Sequence, residues 1–123
     1  VLMVENVDAA VIQGDHDLLV QLLANLIQNA LRYGVGGQKI TLRVHGPRLI
    51  VSDEGPGIPF VDRENVLQPL HQGESSRQGE GYGLGLSLVR AIAELHGADL
   101  ALSDGPNGRG LRVALQFHTL TEF

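Results

Sequence analysis

Gly79-Glu80-Gly81-Tyr82-Gly83-Leu84-Gly85-Leu86 is the stretch that decides the fold: four glycines at alternate positions lead straight into an amphipathic segment. Backbone N–H groups of such a loop, added to the positive end of the helix behind it, form a cradle for an anion. It is not a dinucleotide fingerprint, because no strand immediately precedes it and no βαβ unit surrounds it. Nor is it a Walker A loop, which needs Gly-Lys-Ser/Thr. The plain alternative is a flexible linker. Linkers rarely enter an amphipathic helix with Gly at every second position, so the cradle reading leads.

The helix that follows is predicted over Leu84 to His96, burying Leu88, Val89, Ile92 and Leu95, with Gly97 as its stop. Ala98 to Ser103 and Leu111 to His118 read as two strands around the turn Asp104-Gly105-Pro106-Asn107-Gly108. Before the glycine run, Pro69 to Gly83 is polar and aperiodic, the pattern of a loop. A short helix is expected over Asp62 to Leu67, behind the Gly/Pro-rich segment Asp53 to Pro59. Lys39 to His45 alternates through Ile40, Leu42 and Val44, and Gly46-Pro47 turns it into a hairpin partner at Arg48 to Ser52.

Asp15 is placed to N-cap a long helix from His16 to Tyr33. Leu19, Leu22, Leu23, Leu26, Ile27 and Ala30 give it one apolar face, and Gly34, Gly36 and Gly37 end it. Val1 to Val7 and Ala9 to Gln13 read as short strands. Strands and helices do not alternate strictly. The expected class is therefore α+β, a two-layer sandwich of a mixed, mostly antiparallel sheet with about three helices on one face.

Composition narrows the function. The 123 residues suit a single domain, 43% apolar and 19% charged, the balance of a globular protein. No apolar run approaches the roughly 18 residues that span a bilayer. The chain opens at Val1 with Met3 inside it, and reads as a piece of something longer. A net charge of −5 and 4% aromatic residues speak against nucleic acid as a partner. A small phosphate ligand is compatible with that charge, because backbone N–H groups, a cation or two and a metal ion suffice to hold it. The chain has no cysteine, hence no disulfide and no thiolate metal site.

Two further segments carry polar chemistry. Asn25-Leu-Ile-Gln-Asn29-Ala-Leu-Arg32-Tyr33 sets Asn25, Asn29 and Arg32 on one strip beside the apolar stripe. An amide oxygen there can ligate a hard cation such as Mg²⁺, and Arg32 can meet phosphate oxygens. A solvated helix flank is the bland alternative, and for this segment alone the better one. Asp53-Glu54-Gly55-Pro56-Gly57-Ile58-Pro59 puts a carboxylate at a strand end, where it can accept an exocyclic amino group. By itself it is better read as a tight turn with Asp as a turn residue.

Order and spacing together change that balance. Asn at i and i+4 on a helix, then Asp-x-Gly-x-Gly, then a loop closing in Gly-x-Gly-Leu-Gly-Leu resembles the GHKL superfamily of ATP-binding domains. That superfamily includes gyrase-type topoisomerases, heat-shock chaperone ATPases, mismatch-repair clamps and histidine kinases. The resemblance runs from Asp15 to about Phe117. Asn-Leu-Ile-Gln-Asn-Ala-Leu-Arg-Tyr-Gly and Tyr-Gly-Leu-Gly-Leu-Ser-Leu-Val-Arg are most similar to the N and G2 boxes of sensor histidine kinases.

The resemblance implies a Bergerat ATP-binding fold with ATP and Mg²⁺ as its ligands. Asn29 would hold the metal, with Asn25 as a second contact near the phosphates; Arg32 would approach the terminal phosphate and Tyr33 the base. Asp53 would accept the adenine amino group in a pocket shaped by Gly55, Gly57 and Ile58. Leu67 to Gly81 would be a lid over the nucleotide, and Gly81, Gly83, Leu84, Gly85 and Leu86 would line the triphosphate.

Departures from the pattern refine these expectations. ATP-hydrolysing relatives and anti-sigma serine kinases carry a Glu four residues before the metal-binding Asn, as general base. Asn25 stands there, and an amide takes no proton at neutral pH. An imidazole acceptor is already a good nucleophile, so the departure points to a histidine kinase. The family's Phe-x-Pro-Phe box reads Leu67-Gln68-Pro69-Leu70, and Gln72 replaces the usual basic residue, leaving Arg77 to supply the cation.

None of His16, His45, His71, His96 and His118 has the Glu and Pro that follow a phosphoacceptor histidine. The acceptor is expected on a separate dimerisation domain, with a response regulator downstream. The domain would be cytoplasmic, the intact protein being anchored in the inner membrane through other segments. Two rivals stand beside this reading: an ATPase or serine-kinase module of the same superfamily, and a nucleotide-binding docking module.

Overall fold

The computed structural model describes residues 2–8, 12–33, 39–68, 80–105 and 108–118. Its five-stranded sheet runs in the order β1 (Leu2–Asp8), β2 (Ile40–His45), β3 (Arg48–Ser52), β5 (Leu111–Gln116), β4 (Asp99–Asp104). Only the β1–β2 pair is parallel; β2–β3, β3–β5 and β5–β4 are antiparallel. The helices are α1 (His16–Tyr33), α2 (Arg63–Val66), preceded by a 3₁₀ turn at Phe60–Asp62, and α3 (Glu80–Leu95). This is the mixed α+β sandwich that the sequence predicts.

Alternation explains the layering. Along β5, Leu111, Val113 and Leu115 are buried while Arg112 and Gln116 are exposed, so one sheet face meets the helices and the other meets water. Leu22 and Leu26 of α1 join Leu86, Val89 and Ile92 of α3 in the same cluster as Leu42, Val51, Val113 and Leu115 of the sheet. Fully burying each such side chain is worth about 1.5–3 kcal/mol relative to leaving it exposed.

Local chemistry fixes the ends of the long helices. Asp15 caps α1 as expected, its Oδ1 accepting the Leu18 N–H at 3.0 Å. Gly97 follows α3 at φ 66°, and the Ala98 N–H returns to the Ala93 carbonyl at 2.9 Å, the closing bond of a left-handed C-terminal turn. His96 sits at the same end. Its Nδ1 lies 2.8 Å from the Ile92 carbonyl and its Nε2 accepts the Asp15 N–H at 3.0 Å, tying the end of α3 to the start of α1.

Four sequence expectations need correction, and the first is Leu95, expected on the buried side of α3 but 74% exposed at its end. Helix α3 begins at Glu80 rather than Leu84, so Glu80 to Gly83 are helix and not loop. Each glycine costs a helix about 1 kcal/mol, but burial of Leu86, Val89 and Ile92 against α1 favours carrying the helix back through them. Ile12 and Gln13 are irregular, so the strand expected over Ala9 to Gln13 does not form there, and 9–11 lie outside the described residues. The short helix expected over Asp62 to Leu67 is a 3₁₀ turn followed by four α-helical residues. Among the described residues no helix is long and apolar enough to cross a membrane.

Candidate nucleotide site

Asn25 and Asn29 stand one turn apart on α1, beside the buried Leu22 and Leu26. Asn29 is 8% exposed, and the Nδ2 atoms of both amides are buried without a hydrogen-bond partner among the described residues. Leaving one buried donor unsatisfied costs about 1–3 kcal/mol, and native proteins leave few.

Helix α3 meets Asn29 through a glycine. A Cβ on Gly85 would lie 3.0 Å from Asn29 Oδ1 and 3.3 Å from its Cγ, so a side chain there would press on the amide. Gly81 and Gly83 fall in the first turn of α3, where backbone N–H groups lack a carbonyl one turn back. Leu84 and Gly85 lie deeper in the helix than the expected loop allowed. Leu86 is fully buried and Ile58 nearly so, both in the apolar cluster with Leu26. Their side chains support the site from beneath.

Asp53 ends β3 with 6% exposure. Its Oδ1 accepts the Gly55 N–H at 2.8 Å and the Leu111 N–H at 3.3 Å, while its own N–H donates to the Leu111 carbonyl at 3.0 Å. Burial pushes its carboxyl above the ordinary value, and the two N–H bonds oppose the shift. Among the described residues no donor is directed at Oδ2, which suits an acceptor for an amino group. Gly57, at φ 76°, lets the loop close on the β4–β5 turn: a Cβ there would sit 2.7 Å from the Gly110 carbonyl oxygen. Arg63 braces the same loop, donating to the Ile58 carbonyl at 3.0 Å and pairing with Asp104.

The structure brings Asn29 against Gly85 across the α1–α3 contact, with Asn25 one turn earlier on α1, and sets Asp53, Gly55 and Gly57 at the end of β3 and in the loop that follows it. Arg32 and Tyr33 complete the last turn of α1, but their side chains, and all of Arg77, lie outside the described residues. Of the expected lid, Leu67 and Gln68 follow α2 in a turn and 69–79 are outside the described residues. A depression of about 600 Å³ is lined by the loop after Asp53, including Gly55, Gly57 and Ile58, together with Arg63, Asp104 and Gly110. Another of about 750 Å³ lies beside Gln13, Asp15, His96 and His118. Neither takes in Asn29 or Asp53. No group of three or more His, Cys, Asp or Glu among the described residues could hold a metal ion.

Sequence reasoning missed the part played by the β4–β5 turn. Gly105 and Gly110 pack on the backbone of Asp53, and the Leu111 N–H orients its carboxylate. The available signal was Gly105 followed by Gly108-Arg109-Gly110, more glycine than a hairpin turn requires.

Comparison with known proteins places the chain in a family. Residues 14–121 match the family described as histidine kinase-, DNA gyrase B-, and HSP90-like ATPase. The chain is 35% identical over 108 residues to the sensor protein CutS of Streptomyces coelicolor, covering 82% of this chain and 26% of CutS. It therefore spans about a quarter of that relative's length. Among solved structures, the ATP-binding domain of PrrB from Mycobacterium tuberculosis superposes with TM-score 0.72 at 26% identity, over 98% of this chain and 82% of that one. The catalytic domain of the histidine kinase ThkA gives 0.76 at 24% identity, over 98% and 80% of the two chains, a likeness of fold. With its unpartnered asparagines, its buried strand-end aspartate and the glycines that bring α3 against α1, the chain belongs to the histidine kinase-, DNA gyrase B-, and HSP90-like ATPase family, in its sensor histidine kinase branch.

Proposed function

We propose that this domain binds Mg·ATP and delivers the γ-phosphoryl group to a histidine on a separate helical dimerisation domain, within a two-component signalling chain. The observation that carries the reading is the pair of buried amide Nδ2 atoms of Asn25 and Asn29, without a partner among the described residues, with Asn29 facing Gly85 of α3. An oxygen-rich, charged ligand gives those amides the partners they lack. The residues present fit the group: Asn29 supplies a carbonyl oxygen for the metal, Asn25 a contact to phosphate, and Asp53 an acceptor for the adenine amino group. Bound Mg²⁺ neutralises charge on the phosphates.

In this reading Arg32 and Arg77 meet the terminal phosphate, Tyr33 lies beside the base, and Gly81 and Gly83 offer N–H groups to the phosphate chain. The transfer forms a bond between an imidazole nitrogen and the γ-phosphorus while the bond to the β–γ bridging oxygen breaks and ADP departs. Asn25 accepts no proton, and the imidazole, nucleophilic when neutral, needs no base there. Positioning and charge neutralisation carry the rate. The phosphoryl group then moves to an aspartate of a response regulator, and any membrane attachment belongs to other segments of the protein.

Mixing the domain with Mg·ATP and a separately made histidine-bearing helical hairpin tests the proposal. Acid-labile, base-stable phosphate on the hairpin, dependent on Asn29, is the expected result. Tight Mg·ATP binding without transfer points instead to a docking module, and steady ATP hydrolysis by the domain alone points to an ATPase.

A further inference from the structure

The turn between β4 and β5 lies outside the three segments that carry the nucleotide reading, yet it is seated on one of them. Gly110 has φ 76°, and a Cβ added to it would overlap the Asp53 carbonyl oxygen and stand 2.9 Å from the Asp53 carboxylate Oδ1. Gly105, on the other arm of the turn, packs first on the Arg109 carbonyl, and a Cβ there would also lie 2.8 Å from the Asp53 carbonyl oxygen. The two arms are joined by the Gly105 N–H donating to the Gly110 carbonyl at 3.1 Å. The residue after Gly110 is Leu111, whose N–H reaches Asp53 Oδ1 at 3.3 Å and whose carbonyl accepts the Asp53 N–H at 3.0 Å. Close seating of the turn and orientation of the carboxylate are thus one arrangement.

The geometry points to Gly110, seated with Gly105, as a positioning residue for the base-binding carboxylate. A bare backbone at 110 lets the turn close on Asp53, so that the Leu111 N–H occupies Oδ1 and Oδ2 is left for the exocyclic amino group of the purine. The inference rests on the reading of Asp53 as the adenine acceptor. A side chain at 110 pushes the turn away, frees the carboxylate to rotate, and removes its preference for an amino group over a carbonyl at that edge of the base. Gly110 acts through Asp53 and touches no nucleotide itself.

A turn glycine needed only for its left-handed backbone would behave otherwise, and the molecule contains the control. Gly108 has φ 75°, in the same turn, with nothing within 4 Å of an added Cβ. Gly108→Ala and Gly110→Ala therefore share the backbone strain, and Gly110→Ala alone adds the collision with Asp53.

Calorimetric titration of the whole chain with Mg·ATP and Mg·GTP separates the cases, run on wild type, Gly108→Ala, Gly110→Ala, Asp53→Asn and the Gly110→Ala/Asp53→Asn double variant. Both glycine variants are expected to melt at lower temperature, but only Gly110→Ala should reduce the ATP-over-GTP preference, by roughly ten-fold or more, the worth of one hydrogen bond to a charged group. In the Asp53→Asn background Gly110→Ala should change that preference by less than about two-fold, since it has no carboxylate left to misplace. An unchanged preference in Gly110→Ala, with a melting loss like that of Gly108→Ala, overturns the inference and leaves Gly110 a turn residue. An unchanged preference in Asp53→Asn overturns the reading beneath it and the inference together. If Gly110→Ala does not fold, Gly105→Ala, whose Cβ collides first with the Arg109 carbonyl and then with that of Asp53, moves the same turn off Asp53, and its loss or retention of the preference decides in the same way.

Discussion

Asn29 places a polar group where the fold gains nothing from it. Its Nδ2 is buried and unpartnered, so Asn29→Ala removes a desolvated donor along with a few packing contacts. The variant is expected to melt within about 1 kcal/mol of wild type while Mg·ATP affinity falls at least roughly ten-fold, the loss of one metal-coordinating contact. Unfolding curves and calorimetry on one preparation check both halves; a large stability loss with unchanged affinity would make Asn29 a structural residue. Asp53 gives a pH signature. Burial raises its carboxyl above the ordinary 3.8, so the folded state binds that proton more tightly than the unfolded chain does. The stability this contributes is fully present below about 3.8 and is lost as pH rises through the raised value. Above that window the buried carboxylate is a burden on folding. Asp53→Asn, whose side-chain oxygen can still accept the Gly55 and Leu111 N–H groups, should be at least as stable as wild type at neutral pH. Its advantage should shrink on acidification through the window. Thermal melts across that range check it, and a pH-independent loss of stability in the variant would contradict the sign.

Helix α1 is the element most completely written in the sequence. Its Asp15 cap, its apolar face and its span from His16 to Tyr33 all appear as expected. Asp15→Ala should destabilise the domain by about 1 kcal/mol through loss of the bond to the Leu18 N–H. A melt shifted no further than that of an exposed α1 control such as Gln21→Ala would show that the cap is supplied elsewhere. The β2–β3 hairpin was equally legible, because alternation over Ile40, Leu42 and Val44 and the Gly46-Pro47 turn are local signals. The start of α3 was not. Glycines at 81 and 83 argue for loop on propensity, and the helix runs back through them to Glu80. The direction of β1 was also hidden, since parallel pairing with β2 is set by the path of the chain through α1 rather than by residues of the strand.

Across the molecule, residues far apart in sequence meet through a shared core. Leu26 of α1, Ile58 of the Asp53 loop and Leu86 of α3 lie in one cluster, which ties together the elements that carry the asparagines and the aspartate. The strip of Asn25 and Asn29 and the strand-end Asp53 could be read from spacing. Their support could not, because Leu111 and Gly110 act through backbone atoms and an absent side chain, which leave little mark on a sequence. The central claim is that these parts form one adenine-nucleotide site that needs a divalent cation. Calorimetric titration with ATP and GTP, each with Mg²⁺ and with a chelator, tests it most directly. The account predicts ATP binding with Mg²⁺, GTP weaker by roughly ten-fold or more, and ATP affinity largely lost in chelator. Equal affinity for both nucleotides regardless of the metal, or no binding of either, would contradict it.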